Sequence, residues 1–159
     1  MADIDAVRSG EQRHVDALVL LGAQRADCWV ATATAADEPY LVPLSFAWWD
    51  GLVVLVTPAA SATVRNLEAG RTARLAFGHT RDVLVVDAEL VEVAPIDEPA
   101  AARPAAAFAA QADWDPRGEA GYAAVTLRPQ RAQAWREAPE LAGRTIMRGG
   151  RWLFGSGVT

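Results

Sequence analysis

The sequence predicts a mainly β domain of the α+β kind, an antiparallel sheet closed into a small barrel or sandwich. Three observations carry this. Apolar, β-branched runs follow one another through tight turns, most plainly Tyr40–Trp49 and Leu52–Thr57 across the Asp50-Gly51 hairpin signal. The regular alternation of strands and helices that marks parallel βαβ units is absent. At 159 residues and 52% hydrophobic, the chain can bury one full core. It shows no internal repeat and no second domain, so residues 1–159 read as a single unit.

The elements follow in order. Residues 11–24, EQRHVDALVLLGAQ, have helical periodicity, with Val15, Leu18, Leu20 and Leu21 as the inward face and Ser9 as a cap. They make residues 1–25 a helical N-terminal segment. Cys28–Ala33 is a strand, closed by the turn residues Ala36–Pro39. In the next strand, Tyr40–Trp49, Pro43 cannot donate to the ladder, which implies an edge, a bulge or a place where something else packs. Ser61–Ala69 reads as a short helix with Ser61 as N-cap and Gly70 as C-cap. Thr72–Gly78 and Asp82–Val93 are strands, the second with an alternation that slips near Leu90 as a bulge would make it. Residues 96–121 form an Ala/Pro-rich insertion: a helix over Ala100–Ala112, expected to be an ordinary solubilising surface helix, then a loop. Residues 122–159 hold the last long strand, Tyr122–Trp135, and an Arg-rich tail in which Gly149-Gly150 turns a short hairpin.

Charge and composition exclude several functions. The net charge of -5 argues against general nucleic-acid binding. No apolar run approaches the roughly 20 residues of a membrane helix. The acidic start, MADIDAVRSGEQRH, does not read as a signal peptide, so a cytoplasmic location is the expectation. Cys28 is the one cysteine, in an apolar run, and reads as a small buried hydrophobe. With only His14 and His79 beside it, no conventional zinc site can form. Asp113 and Asp115 lie among turn residues, as a solvated turn would place them. Nucleophile elbows, phosphate loops and metal-binding helix motifs are missing, and no catalytic acid or base stands out. A bound cofactor would then carry the chemistry. The charge is uneven: residues 1–121 hold 9 Arg against 18 acidic residues, and residues 122–159 hold 6 Arg against 2. Those tail arginines either reflect base composition or meet an anionic ligand or acidic surface.

One combination of segments is familiar. Tyr40-Leu41-Val42-Pro43-Leu44-Ser45-Phe46, the Trp48-Trp49-Asp50-Gly51 turn, Leu55-Val56-Thr57, Ser61-Ala62-Thr63-Val64-Arg65-Asn66-Leu67 and Thr72-Ala73-Arg74-Leu75-Ala76-Phe77 together resemble the pyridoxamine 5'-phosphate oxidase-like flavin-binding split barrels. The resemblance covers residues 26–95 best. It implies a six- to seven-stranded antiparallel split β-barrel of Greek-key type, dimeric, with FMN or the deazaflavin coenzyme F420 in grooves made by both subunits.

By the same resemblance, Thr57, Ser61, Thr63, Arg65 and Asn66 meet the cofactor's phosphate, and Pro43, Leu44, Ser45 and Phe46 run along its ring system. A helix capped by Ser61 would offer N–H groups and a dipole to a phosphate, and Arg65 a charged contact. Family members often carry Lys where Thr63 stands, so Arg65, Arg74 or an Arg of a second subunit would supply that charge. Trp135 and Trp152 in the Arg-rich tail would either cover the ring from the second subunit or make ordinary hydrophobic contacts; Trp29, Trp48 and Trp49 read as core or dimer packing. The implied activity is an FMN-dependent oxidoreductase moving hydride to or from a small-molecule substrate. A coenzyme F420-dependent enzyme, a non-catalytic cofactor or haem carrier, and a dimer with a decayed site remain open beside it.

Overall fold

The computed structural model describes residues 6–155; the two ends of the expected domain, residues 1–5 and 156–159, lie outside the described residues. Helix α1 (Gly10–Leu21) starts where the Ser9 hydroxyl accepts the Gln12 N–H at 3.1 Å. Then come β1 (Asp27–Ala33), β2 (Pro39–Trp49), β3 (Leu52–Pro58), α2 (Ala62–Gly70), β4 (Thr72–His79), β5 (Asp82–Pro95), α3 (Ala102–Gln111), β6 (Tyr122–Trp135), β7 (Thr145–Arg148) and β8 (Arg151–Trp152). Single 3-10 turns, Pro99–Ala101 and Ala138–Glu140, precede α3 and follow β6. No helix among the described residues is long and apolar enough to cross a membrane.

The strands run β3-β2-β1-β4-β5-β6-β7-β8, and β3 also pairs with β6. This last pairing, Val53–Pro58 against Tyr122–Leu127, closes six strands into an antiparallel barrel and leaves β7 and β8 as an extension. Barrel closure removes the free edges that would otherwise invite aggregation. β6 serves three neighbours, β3 through its first half, β5 along nearly its whole length and β7 near its end. The β5–β6 ladder shifts register between Leu90 and Glu92, the bulge that the broken alternation predicts.

Alternation sorts the side chains into two cores. Val30, Phe46, Leu55, Leu75, Phe77, Leu84 and Leu127 fill the barrel, with the Phe46 and Phe77 rings edge to face at 4.8 Å. α2 adds Val64 and Leu67 to this core. The second core lies outside the barrel wall. There α3 packs Ala105 and Phe108 against Ala47, Val54, Val56, Ala94 and Ala124, and Trp114 bridges Phe108 and Tyr122 edge-on.

Three expectations need correction. Gly70 is the last residue of α2, and the left-handed cap is Arg71, whose N–H donates to the Leu67 carbonyl. The solubilising role given to residues 100–112 is wrong. Phe108 is fully buried, and Gln111 is tied down, donating to the Leu21 and Ala23 carbonyls and accepting from the Trp48 N–H. The alanines are small because the helix lies close against strands. The inward face assigned to α1 is also rotated. Gly10, Arg13, Ala17 and Leu21 are buried, whereas Val15 and Leu18 are exposed. Two contacts set this rotation: the Phe154 ring occupies the space where a Gly10 Cβ would stand, and Arg13 reaches the Glu140 carbonyl.

A buried ion pair fastens the chain's start to the segment after β6. The Arg8 guanidinium donates to both Glu140 oxygens, the Arg8 N–H adds a bond at 2.9 Å, and Arg8 also meets Asp16 at 2.7 Å. The Arg136 N–H donates to the same Glu140 carboxylate. These bonds hold the Glu140 carboxyl down at about 2, below its ordinary 4.5. A depressed carboxylate contributes stability above its ordinary range and loses it as pH falls toward its folded value. Glu140→Gln is therefore expected to cost roughly 3 kcal/mol at neutral pH and to flatten stability loss between about pH 5 and 2. Denaturant titrations at neutral and acid pH check both; an unchanged acid limb would refute this account. Phe108→Ala is expected to cost about 3–5 kcal/mol by the same titration, where a solubilising helix would lose almost nothing.

Candidate functional site

The strand register gathers four of the expected site residues on one surface. In β2, successive side chains face opposite sides, so Pro43, Leu44, Ser45 and Phe46 cannot all meet one ligand. Phe46 is 1% exposed in the barrel core and Leu44 leans toward it, while Pro43 and Ser45 face outward. Pro43 stands opposite Trp29, Trp29 opposite Ala76, Ala76 opposite Val85 and Val85 opposite Gln133. The next row runs Leu41, Ala31, Arg74, Asp87 and Arg131. Trp135, opposite Val83, belongs to the same outer face. Trp29 and Leu41 are 50% and 58% exposed, which makes the middle of this face apolar.

Its polar features are few. Arg74 holds Asp87 with two bonds, Nε to Oδ1 at 2.6 Å and Nη2 to Oδ2 at 3.1 Å. The Ser45 hydroxyl donates to Asp27 at 2.8 Å. A cleft of about 460 Å³ opens at the margin of the face, lined among others by Ala31, Thr32, Arg74, Asp87, Glu89 and Gln130.

The segment expected to meet a phosphate forms around α2. Ser61 has extended φ and ψ, and its hydroxyl accepts the Val64 N–H at 3.3 Å. Arg65 turns its guanidinium back onto the Ala60 carbonyl, so its charge lies beside the first turn. Thr57 and Thr63 are 4% and 2% exposed, and Asn66 also faces inward. Asn66 donates to the Thr32 hydroxyl at 3.0 Å. Thr32 lines the cleft, so Asn66 of α2 fixes one residue of the cleft's wall from behind.

A second polar cluster is one that sequence reasoning missed. With its amide oxygen turned to the guanidiniums, Gln133 accepts from Arg131 at 2.9 Å and from Arg144 at 3.1 Å. The Arg144 guanidinium lies 5.5 Å over the Trp135 ring. Among the described residues, neither Arg131 nor Arg144 has a carboxylate partner. The excess of arginine after residue 121 was the signal, but only the register shows which of these arginines share a face.

The remaining chemistry is sparse. Cys28 is 2% exposed, and burial together with the Asp27 charge pushes its thiol up to about 12, which leaves it unreactive. His79 is exposed at the end of β4. Asp115 pairs with Arg117 in the loop after α3. No group of three or more metal-ligating side chains occurs among the described residues.

Residues 17–136 are similar to the family described as pyridoxamine 5'-phosphate oxidase. No curated protein matches the chain. Among solved structures, a conserved hypothetical protein from Mycobacterium tuberculosis superposes with a TM-score of 0.60 at 19% identity, over 86% of this chain and 89% of that one. The heme storage protein HutZ from Vibrio cholerae gives 0.61 at 15%, over 73% and 90%. An F420 reductase gives 0.56 at 14%, over 72% and 94%. At these identities the likeness is one of fold.

The Arg74–Asp87 pair is solvent-facing, with Arg74 63% exposed, and holds little of the fold's stability. Asp87→Asn is expected to shift the unfolding free energy by less than about 1 kcal/mol. A larger loss in a denaturant titration would mean that the pair is structural rather than available to a ligand.

Proposed function

The chain belongs to the pyridoxamine 5'-phosphate oxidase family, and from that premise we propose that it is a homodimeric FMN-dependent oxidoreductase acting on a small molecule. The observation that carries the reading is the start of α2. Ser61 takes up the Val64 N–H and its carbonyl the Arg65 N–H, which leaves the Ala62 and Thr63 N–H groups at the helix start for an anion. Arg65, anchored on the Ala60 carbonyl, adds a guanidinium where the family often has Lys and this chain has the buried Thr63. Backbone donors and one fixed guanidinium fit a phosphate monoester.

The outer sheet face fits the ring. Pro43 and Trp29 give it an apolar floor, and Ala31 and Ala76 keep that floor low. When bound, the flavin supplies the ring that accepts or gives up hydride. The chain's own residues would hold the phosphate at the start of α2, support the ring on the apolar floor and shut out water. A second copy laid over Trp29, Leu41 and Pro43 would bury this apolar surface and bring its own Trp135 and Arg144 to the ligand.

Arg131 and Arg144 favour a second reading, coenzyme F420, whose anionic tail would use guanidiniums that FMN's single phosphate leaves over. An absorbance titration of the purified protein with FMN and, separately, with F420 decides between them. Arg65→Ala is expected to lower the affinity for either by roughly tenfold without unfolding the protein. Arg144→Ala is expected to weaken F420 more than FMN. Failure of both cofactors to bind at high micromolar concentration would sink the oxidoreductase reading, and a monomer in sedimentation would sink the shared site.

A further inference from the structure

A second cleft, of about 330 Å³, lies on the flank covered by α3, away from the face just described. Trp49, Leu52, Pro99 and Pro104 give it apolar walls, with Thr126 on the strand beneath. Its volume is near the lower end of the range for small-molecule sites, about 300–1,000 Å³.

Two charges of opposite sign line it. Arg103, in the first turn of α3, holds its guanidinium 5.5 Å over the Trp49 ring. Glu92 comes from the far side, on β5. Among the described residues neither has an ion-pair partner, and they do not reach each other across the cleft. The bulge explains why Glu92 is there. Register passes from Leu90 opposite Leu127 directly to Glu92 opposite Thr126, which leaves Val91 outside the ladder and 39% exposed, also lining the cleft. Bulges of this kind re-aim side chains beside binding sites.

We propose that this cleft binds a small zwitterion with an apolar body, an α-amino acid with an aromatic or large aliphatic side chain. The carboxylate meets Arg103, the ammonium meets Glu92, and the body rests on Trp49, Leu52 and the two prolines. The charges select the class. A simple anion would meet Arg103 alone and a simple cation Glu92 alone, so each would use one of the two charges that line the cleft. An occupant carrying both charges satisfies both ends of the cleft at once.

The test needs no flavin. L-phenylalanine, 3-phenylpropionate and phenethylamine, which share a body and differ in charge, are titrated calorimetrically into the full chain. Phenylalanine is expected to bind at least roughly tenfold more tightly than either single-charge analogue. Arg103→Gln should abolish its advantage over phenethylamine, and Glu92→Gln its advantage over 3-phenylpropionate, with the unfolding transition of each variant unmoved. Equal binding of all three probes, tighter binding of a single-charge analogue, or no binding at millimolar concentration overturns the proposal. Should Arg103→Gln disturb α3, the exposed Glu92→Gln still decides it.

Discussion

Everything in this molecule depends on the pairing of β3 with β6. Six registered residue pairs, from Val53–Leu127 to Pro58–Tyr122, turn a row of strands into a closed wall. Closure gives each strand an inside and an outside, and it fills the inside with packed apolar side chains. β3 is buried on both faces because Val53 and Leu55 point into the barrel while Val54 and Val56 meet α3. An apolar run without alternation is what such a doubly covered strand requires.

Closure also distributes the chemistry. The barrel interior is occupied, so any ligand must lie on an outer surface, and the wall offers two kinds. One, across β2, β1, β4, β5 and β6, carries no helix, and its middle is an apolar floor bordered by arginines. The other is covered by α3 along most of its length and stays open only at the helix's first turn, where Trp49, Arg103 and Glu92 gather. α2 stands apart from both, with Val64 and Leu67 in the barrel core and its first turn beside Arg65. Such a scaffold builds both outer surfaces on strands of one closed sheet.

Much of this was legible in the residues. Asp50-Gly51 marked its hairpin, Ser61 its cap, and the slip near Leu90 its bulge, because each is a local rule of turn chemistry or alternation. The rotation of α1 was not legible, because it is decided by Phe154 and Glu140, both distant in sequence. Nor was the burial of α3: an alanine-rich segment reads alike whether its small side chains face water or press against strands. Within Pro43–Phe46 the period of two sends Pro43 and Ser45 outward and Phe46 into the core, a separation that a reading of the stretch as one unit misses. Arg131 and Arg144 stood in plain view as an excess of charge. Only the ladder beneath Gln133 gives them a common address.

The strand that closes the barrel is also the last of the six barrel strands in chain order. Until Tyr122–Trp135 leaves the ribosome, β3 and β5 have no partner on one side, and an emerging chain carries two open edges through most of its synthesis. Contacts between partners so far apart in sequence form slowly, because a long loop must be closed before any bond is gained. The order of strands therefore sets a period of exposure in the cell. During it the edges of β3 and β5 that β6 will cover stay unpaired.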